Sequence, residues 1–169
     1  MILKGASIVI QSAGNKCKVK MQSSDLIKAS YSGKPGASTE WRDDHSAAHA
    51  FKPQTGWPWA SKDLPATIWY NFNHSFRLAK ISFTSRKLWW SQTPKTFEIV
   101  GSNDCSNWDV LMSVSNAGFT DGSQTKAWEI SCEKQKSYKC YGIKASAPID
   151  PYWKLVSLAN IQMYHLPGQ

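Results

Sequence analysis

The chain has no run of about 18 apolar residues, so no stretch of it reads as a membrane-spanning helix. Acids are scarce, with 12 Asp and Glu against 20 Lys and Arg in 169 residues, a net charge of +8. Between Asp63 and Glu98 there is no acid at all, whereas Arg77, Lys80, Arg86, Lys87 and Lys95 all fall there. That balance favours anionic partners, whether acidic glycans, phospholipid headgroups or nucleic acid. Nucleic acid is disfavoured, because there is no helical basic stripe, zinc-finger spacing or ribonucleoprotein aromatic motif. A nucleophile elbow GxSxG, a HExxH pair and a paired-carboxylate signature are all missing, which argues against an enzyme. Long amphipathic helices, internal repeats and low-complexity linkers are missing as well.

Cysteine is sparse too. Cys17, Cys105, Cys132 and Cys140 contain no CxxC pair, and neither they nor His45, His49, His74 and His165 have the spacing of a tetrahedral metal site. Disulfides in an extracellular domain fit better, with three full pairings open. The first residues, MILKGASIVIQSAG, hold too short an apolar run for a secretory signal, so an extracellular location needs a signal removed beforehand or another export route. The triplet Asn73-His74-Ser75 permits glycosylation in such a location.

What the chain has in excess is tryptophan, nine residues, several of them in the segments WPW and LWW. Tryptophan supplies a large contact area at low entropic cost. The segment 81–108, ISFTSRKLWWSQTPKTFEIVGSNDCSNW, places Arg86, Lys87, Leu88, Trp89 and Trp90 between two alternating strands, Ile81–Ser85 and Thr96–Gly101. Ile81, Phe83 and Ser85 face one way, and Ser82 and Thr84 the other. A loop there lies at the surface, where its backbone groups meet water. Adjacent indoles and cations at its tip look like a contact surface. Trp69, Trp108 and Trp128, in or beside strands, are assigned to the core.

Nearly every other segment reads as strand and turn. Ser7–Ile10 and Cys17–Met21 flank Ser12-Ala13-Gly14-Asn15 as a hairpin, and Ser46–Phe51 is a helical turn or bend. Further strands are expected at Leu26–Tyr31, Thr67–Phe72, Val110–Val114, Lys126–Ser131, Tyr141–Ala145 and Ala159–Tyr164. Many short strands separated by turns indicate an all-β sandwich or jelly roll.

The segments AAHAF, GWPWAS, TIWYNF, FRLAKISFTSR, PKTFEIVGSNDCSNWDVL, KCYGIKA and VSLANIQMY, in that order, resemble the landmarks of the coagulation factor 5/8 type C, or discoidin, domain family. The resemblance runs over roughly residues 25–166. It implies an antiparallel jelly-roll β-sandwich of five-stranded and three-stranded sheets spanning residues 25–169. Residues 1–24 would add a short N-terminal hairpin extension. It also implies a galactose-binding-like, non-catalytic module at the cell surface or outside the cell, with ligand loops at one end.

Those loops correspond here to Ser32–Ser46, Arg86–Thr93 and Ala147–Val156, with Gly56–Lys62 as a neighbouring wall. Arg86 occupies the place of an arginine usual in sugar-binding relatives. Glu40 and Asp44 would accept hydrogen bonds from hydroxyls, and Trp153 or Tyr152 would supply a stacking plane. The expected ligand-binding set is Glu40, Trp41, Arg42, Asp44, Arg86, Trp89, Trp90, Gln92, Tyr152 and Trp153. For Trp41-Arg42-Asp43-Asp44, a turn with local ion pairs is as good a reading as a ligand wall.

The sequence also departs from the family. Lys52-Pro53 stands where sugar binders often have Asp-Gly, and Asn160 replaces a glutamate of the last strand. A calcium ion needs several hard oxygen ligands, so the site is expected to be lost, with the Lys52 ammonium in its region. The histidine that many galactose binders carry near the WxxS segment has no counterpart at Ala60-Ser61. By resemblance Cys105 pairs with Cys140, which leaves Cys17 for Cys132; a Cys132–Cys140 pair closing a short loop is the alternative. Cell-surface or matrix glycans are therefore the expected partners and no cofactor is expected. Leu88-Trp89-Trp90 beside Arg86 and Lys87 suits an anionic membrane surface equally well, and protein adhesion is a third possibility.

Overall fold

Alternation of apolar and polar side chains through residues 66–84 builds the central strand of the molecule, β6 (Ala66–Thr84). The computed structural model describes residues 7–10, 19–53 and 57–168, of which 7–10 and 19–23 are described by backbone alone. Ala66, Ile68, Tyr70, Phe72, Phe76 and Leu78 turn one face of β6 inward, and Ala79, Ile81 and Phe83 continue inward in the opposite phase. The switch falls at Ala79. Leu78 pairs with His165 and Lys80 with Tyr164 of β11 (Ser157–His165), so Ala79 is passed over. Such a bulge bends a strand and re-aims its side chains.

The bend lets β6 serve both layers. Its first half pairs with β4 (Lys34–Ala37) and β10 (Ser137–Pro148). Beyond β10 lie β7 (Pro94–Ser102) and β8 (Asp109–Val114), giving the five-stranded layer β4-β6-β10-β7-β8. Its second half lies between β11 and β9 (Thr125–Glu129) in the three-stranded layer. Two-residue strands β3 (Ile27–Lys28) and β5 (Trp59–Ala60) add to β11. All of these pairings are antiparallel, so the chain is an all-β antiparallel sandwich whose larger layer has the expected five strands and whose smaller layer has the expected three plus the two short additions. The sequence pattern gave β6 as two strands because the polar run Asn73-His74-Ser75 looks like a turn.

Aromatic side chains join the layers. Phe83 of the smaller layer meets Phe97 of the larger at 5.4 Å, edge to face. Phe76 lies between Tyr141 at 4.9 Å and His165 at 5.3 Å. Deleting one such buried ring costs about 3–5 kcal/mol. The fully buried tryptophan is Trp59, whose indole N–H donates to the Thr39 carbonyl at 3.2 Å. Trp69 and Trp108, expected in the core, are half-buried and meet at 5.8 Å. Trp69 alternates with the inward residues of β6, which puts it on the outer face. Trp128 is half-buried as well, stacked on Phe83 at 4.8 Å and packed against the core.

Near the N-terminus β1 (Ser7–Ile10) and β2 (Val19–Gln22) form an antiparallel ladder, as the hairpin reading requires. Its expected turn lies outside the described residues. Cys105 is bonded to Cys140, with the Cα atoms 5.6 Å apart, tying the turn after β7 to β10. This excludes the Cys132–Cys140 alternative. Cys132 is disulfide-bonded, but its expected partner Cys17 lies outside the described residues. Asn73 is exposed, and its amide donates to the Ser32 carbonyl at 2.6 Å.

Candidate functional site

Where β6 ends, Ser85 is fully buried and fixes the exit of the chain. Its hydroxyl donates to the Asp121 carbonyl at 2.8 Å and accepts from the Gln124 N–H at 3.0 Å. Arg86 therefore leaves a pinned backbone, and its side chain is 8% exposed. Three residues on, Trp89 adopts φ 56°, the left-handed region that costs a bulky residue about 1–3 kcal/mol. A short turn at Trp90–Gln92 holds it there, with Gln92 N–H donating to the Trp89 carbonyl at 3.0 Å and Thr93 N–H to that of Trp90 at 2.9 Å. The reversal brings the Trp89 ring to 4.5 Å from the Arg86 guanidinium, and Trp57 approaches within 5.6 Å.

Arg86 has one hydrogen bond to protein among the described residues, from Nη1 to Gln92 Oε1 at 3.1 Å. Gln92, itself buried, also accepts from the Ser157 hydroxyl at 3.1 Å. No carboxylate pairs with Arg86 among the described residues. Burial, and secondarily the charge of Arg42, lower the guanidinium from its ordinary pKa, but arginine remains charged in proteins.

The first loop supplies a second wall. Trp41 N–H donates to the Ala60 carbonyl at 2.8 Å, so the chain turns beside β5. The single turn Asp43–His45 then buries the His45 ring, whose Nδ1 lies 2.7 Å from Asp44 Oδ1 and whose face is 5.3 Å from Trp57. The hydrogen bond with His45, helped by Arg42 at 3.3 Å, holds the exposed Asp44 carboxyl below the usual carboxylate range. The third loop is tied to the second. Ile149 and Asp150 N–H groups donate to the Thr93 and Ser91 carbonyls, each at 3.0 Å, and Trp153 Nε1 donates to Ser91 Oγ at 3.1 Å.

Together these loops enclose a cleft of about 340 Å³ lined by Trp41, Arg42, His45, Trp57, Ala60, Arg86, Trp89, Gln92, Trp153 and Leu155. A second compartment of about 370 Å³ shares Trp57, Arg86 and Trp89 and adds Pro58, Lys87, Leu88 and Ser123. Both are within the size range of small-molecule sites. Of seven large hydrophobic side chains exposed among the described residues, five (Trp41, Trp57, Leu88, Trp89 and Tyr152) belong to these loops. Aromatic exposure is thus concentrated at one end of the sandwich, as expected of an interaction surface.

Six of the ten expected site residues line the main cleft: Trp41, Arg42, Arg86, Trp89, Gln92 and Trp153. The other four lie beside it. Glu40 Oε1 accepts from the Ala47 N–H at 2.7 Å and so serves the start of the short helix α1 (Ala47–Ala50). Asp44 backs His45 and Arg42. Trp90 is half-buried under the turn, and Tyr152 stands 78% exposed, edge-on to Trp153. The expected set omitted four lining residues, His45, Trp57, Ala60 and Leu155. Trp57 and Ala60 belong to the expected neighbouring wall, and His45 and Leu155 lie inside expected ligand loops without being singled out there.

Two residues mark the expected calcium position. Lys52 is an exposed cation, and the Asn160 side-chain oxygen, at a residue with φ 49°, already accepts from Gln162 Nε2 at 2.7 Å.

No protein-family model matches the sequence, and no curated protein matches it. Solved structures do match over most of the chain. The F5/8 type C domain of a Bacteroides fragilis protein is 13% identical, covering 84% of this chain and 97% of its own, with a TM-score of 0.69. This chain has the discoidin fold. The CBM32 domain of AlyQ, solved with 4,5-unsaturated mannuronic acid, is 10% identical over 82% of this chain and 98% of its own, with a TM-score of 0.67. CpGH89CBM32-5 from Clostridium perfringens, solved with GalNAc-β-1,3-galactose, is 17% identical over 77% of this chain and 93% of its own, at 0.65. Within the discoidin fold, the cleft described above lies on the loops that follow β4, β6 and β10.

Proposed function

We propose that this chain is a non-catalytic glycan-binding module acting outside the cell, with the cleft around Arg86 as its site. The observation that carries this reading is the grouping of Trp41, Trp57, Trp89 and Trp153 around Arg86, His45 and Gln92. Indole faces suit the apolar C–H patch of a sugar ring, and hydrogen-bonding side chains among them suit its hydroxyls. Selection between sugars then follows from satisfying those polar groups, since one left buried and unpaired costs about 1–3 kcal/mol. The structural likeness to modules solved with a GalNAc-containing disaccharide and with an unsaturated uronic acid supports the same class of ligand. A disulfide fits the extracellular placement. With Lys52 and Asn160 at the expected calcium position, binding proceeds without calcium.

A second reading has its own support. Leu88 is 65% exposed beside Trp89 and Lys87, a combination suited to dipping into an anionic membrane surface.

A glycan array probed with the protein in the presence of a calcium chelator tests the first reading. The expected result is retention of a defined glycan set, lost in Arg86→Ala. Sedimentation with phosphatidylserine vesicles at low and high salt tests the second. Absence of glycan binding together with salt-sensitive vesicle binding replaces the first reading by the second.

A further inference from the structure

Resting on the glycan reading, we propose that the ligand is an acidic oligosaccharide, one of whose carboxylates docks on the Arg86 guanidinium. A buried cation normally has a carboxylate partner, because leaving it alone is costly. Arg86 has a neutral amide instead, Gln92, and two indole faces. The indole faces attract the cation, but neither they nor the amide carry the opposite charge.

The geometry specifies the shape of the missing partner. Nη1 is committed to Gln92 Oε1 at 3.1 Å, while Nε and Nη2 donate to no acceptor among the described residues. Neither atom is among the buried polar atoms lacking a partner, so solvent reaches them. Nε and Nη2 form a parallel two-donor fork, which matches the two oxygens of a carboxylate. Vicinal ring hydroxyls also accept from such a fork, but they carry no charge to pair with that of the guanidinium.

The surroundings agree with that charge. Arg42 lines the same compartment, and Lys87 lines the next one beyond the Trp57–Arg86–Trp89 stack. The acids of these loops, Glu40, Asp43, Asp44, Asp121 and Asp150, line neither compartment, and Asp44 is turned to His45 and Arg42. Cations and indoles thus alternate along two joined compartments, which suits a chain of at least two sugar units with more than one negative charge. A neutral saccharide accepts hydrogen bonds from Arg42 and Lys87 but gains no charge pairing from them.

The test is isothermal titration calorimetry of the full chain with trimers of galacturonate, mannuronate and guluronate, and with the carboxyl-reduced neutral trimer of each. The expected result is that at least one uronate trimer binds about tenfold or more tightly than its reduced counterpart, with an advantage that shrinks as salt rises. Gln92→Glu keeps an acceptor for both Arg86 Nη1 and the Ser157 hydroxyl but supplies an internal carboxylate. It is expected to remove the advantage while the melting temperature stays level or rises. Arg42→Gln is expected to reduce the advantage without removing it. Equal affinity for acidic and neutral trimers overturns the acidic preference and leaves the glycan reading intact. So does retention only of neutral glycans on an array. Binding of no saccharide, with capture of phosphatidylserine vesicles, overturns both.

Discussion

The Arg86 guanidinium sits 4.5 Å from the centre of the Trp89 ring, and the left-handed backbone of Trp89 at φ 56° is what folds that ring over it. A non-glycine residue pays for this conformation, so backbone strain is stored where the ligand is expected to bind. Replacing Trp89 by Ala and by Gly removes the same indole but only Gly relieves the strain. Trp89→Gly is expected to be more stable than Trp89→Ala by about 1 kcal/mol, with both losing glycan affinity. Urea denaturation of the pair measures the difference, and a Gly variant less stable than the Ala variant contradicts the strain.

Arg86 is largely buried with no carboxylate partner among the described residues, so it serves binding at the expense of the fold. Arg86→Met, which keeps much of the side-chain volume, is expected to match or exceed the parent in thermal stability while abolishing ligand binding. A large drop in melting temperature would mean that the guanidinium is needed for the structure. Arg86→Lys keeps the charge and loses the planar fork, and is expected to lose at least about tenfold in affinity.

Tyr141 joins the two layers away from the cleft. Its hydroxyl donates to the Phe76 carbonyl and accepts from the N–H groups of Leu78 at 3.3 Å and Tyr138 at 3.1 Å. Tyr141→Phe leaves those groups short of a partner and is expected to cost about 1–3 kcal/mol in denaturant unfolding. Burial pushes the Tyr141 hydroxyl up to about 12. The folded state therefore holds this proton more tightly than the unfolded chain, whose tyrosine titrates near 10. The contribution is complete below about pH 10 and is lost as pH rises toward about 12. Stability curves between pH 9 and about 12 should fall more steeply for the parent than for Tyr141→Phe.

Glu40 entered as a ligand residue and is placed by the fold as an anchor for α1. Glu40→Gln retains the accepting oxygen and is expected to preserve both stability and binding, while Glu40→Ala is expected to cost about 1 kcal/mol. Loss of affinity in Glu40→Gln, with stability unchanged, would show that its carboxylate also serves the ligand.

The sandwich was legible because most strands alternate cleanly, and the order of landmark segments matched a known domain. β6 was legible only as two halves. A long strand that changes layers contains a polar stretch, Asn73-His74-Ser75, indistinguishable in sequence from a turn. The cleft was legible in its loops and in Arg86, since surface indoles beside cations are hard to explain by packing. Which side chain within a loop turns inward was not legible. Glu40, Asp44 and His45 lie within six residues, and only the fold decides that the histidine lines the cleft while the acids are tied to backbone or to neighbours. Trp59 and Trp69 show the same limit. Trp59 falls in the WPW segment of the expected wall yet is fully buried, whereas Trp69, expected in the core, lies on the outer face according to its phase in the strand.

The central claim is that glycans bind in the cleft around Arg86. Its most direct measurement is retention on a glycan array by the parent, Trp89→Gly and Arg86→Met side by side, each shown folded by its thermal melt. The account predicts that the parent retains a defined set of glycans and that both variants lose about tenfold or more of that binding. Undiminished retention by two folded variants would contradict it and place any glycan site elsewhere on the sandwich.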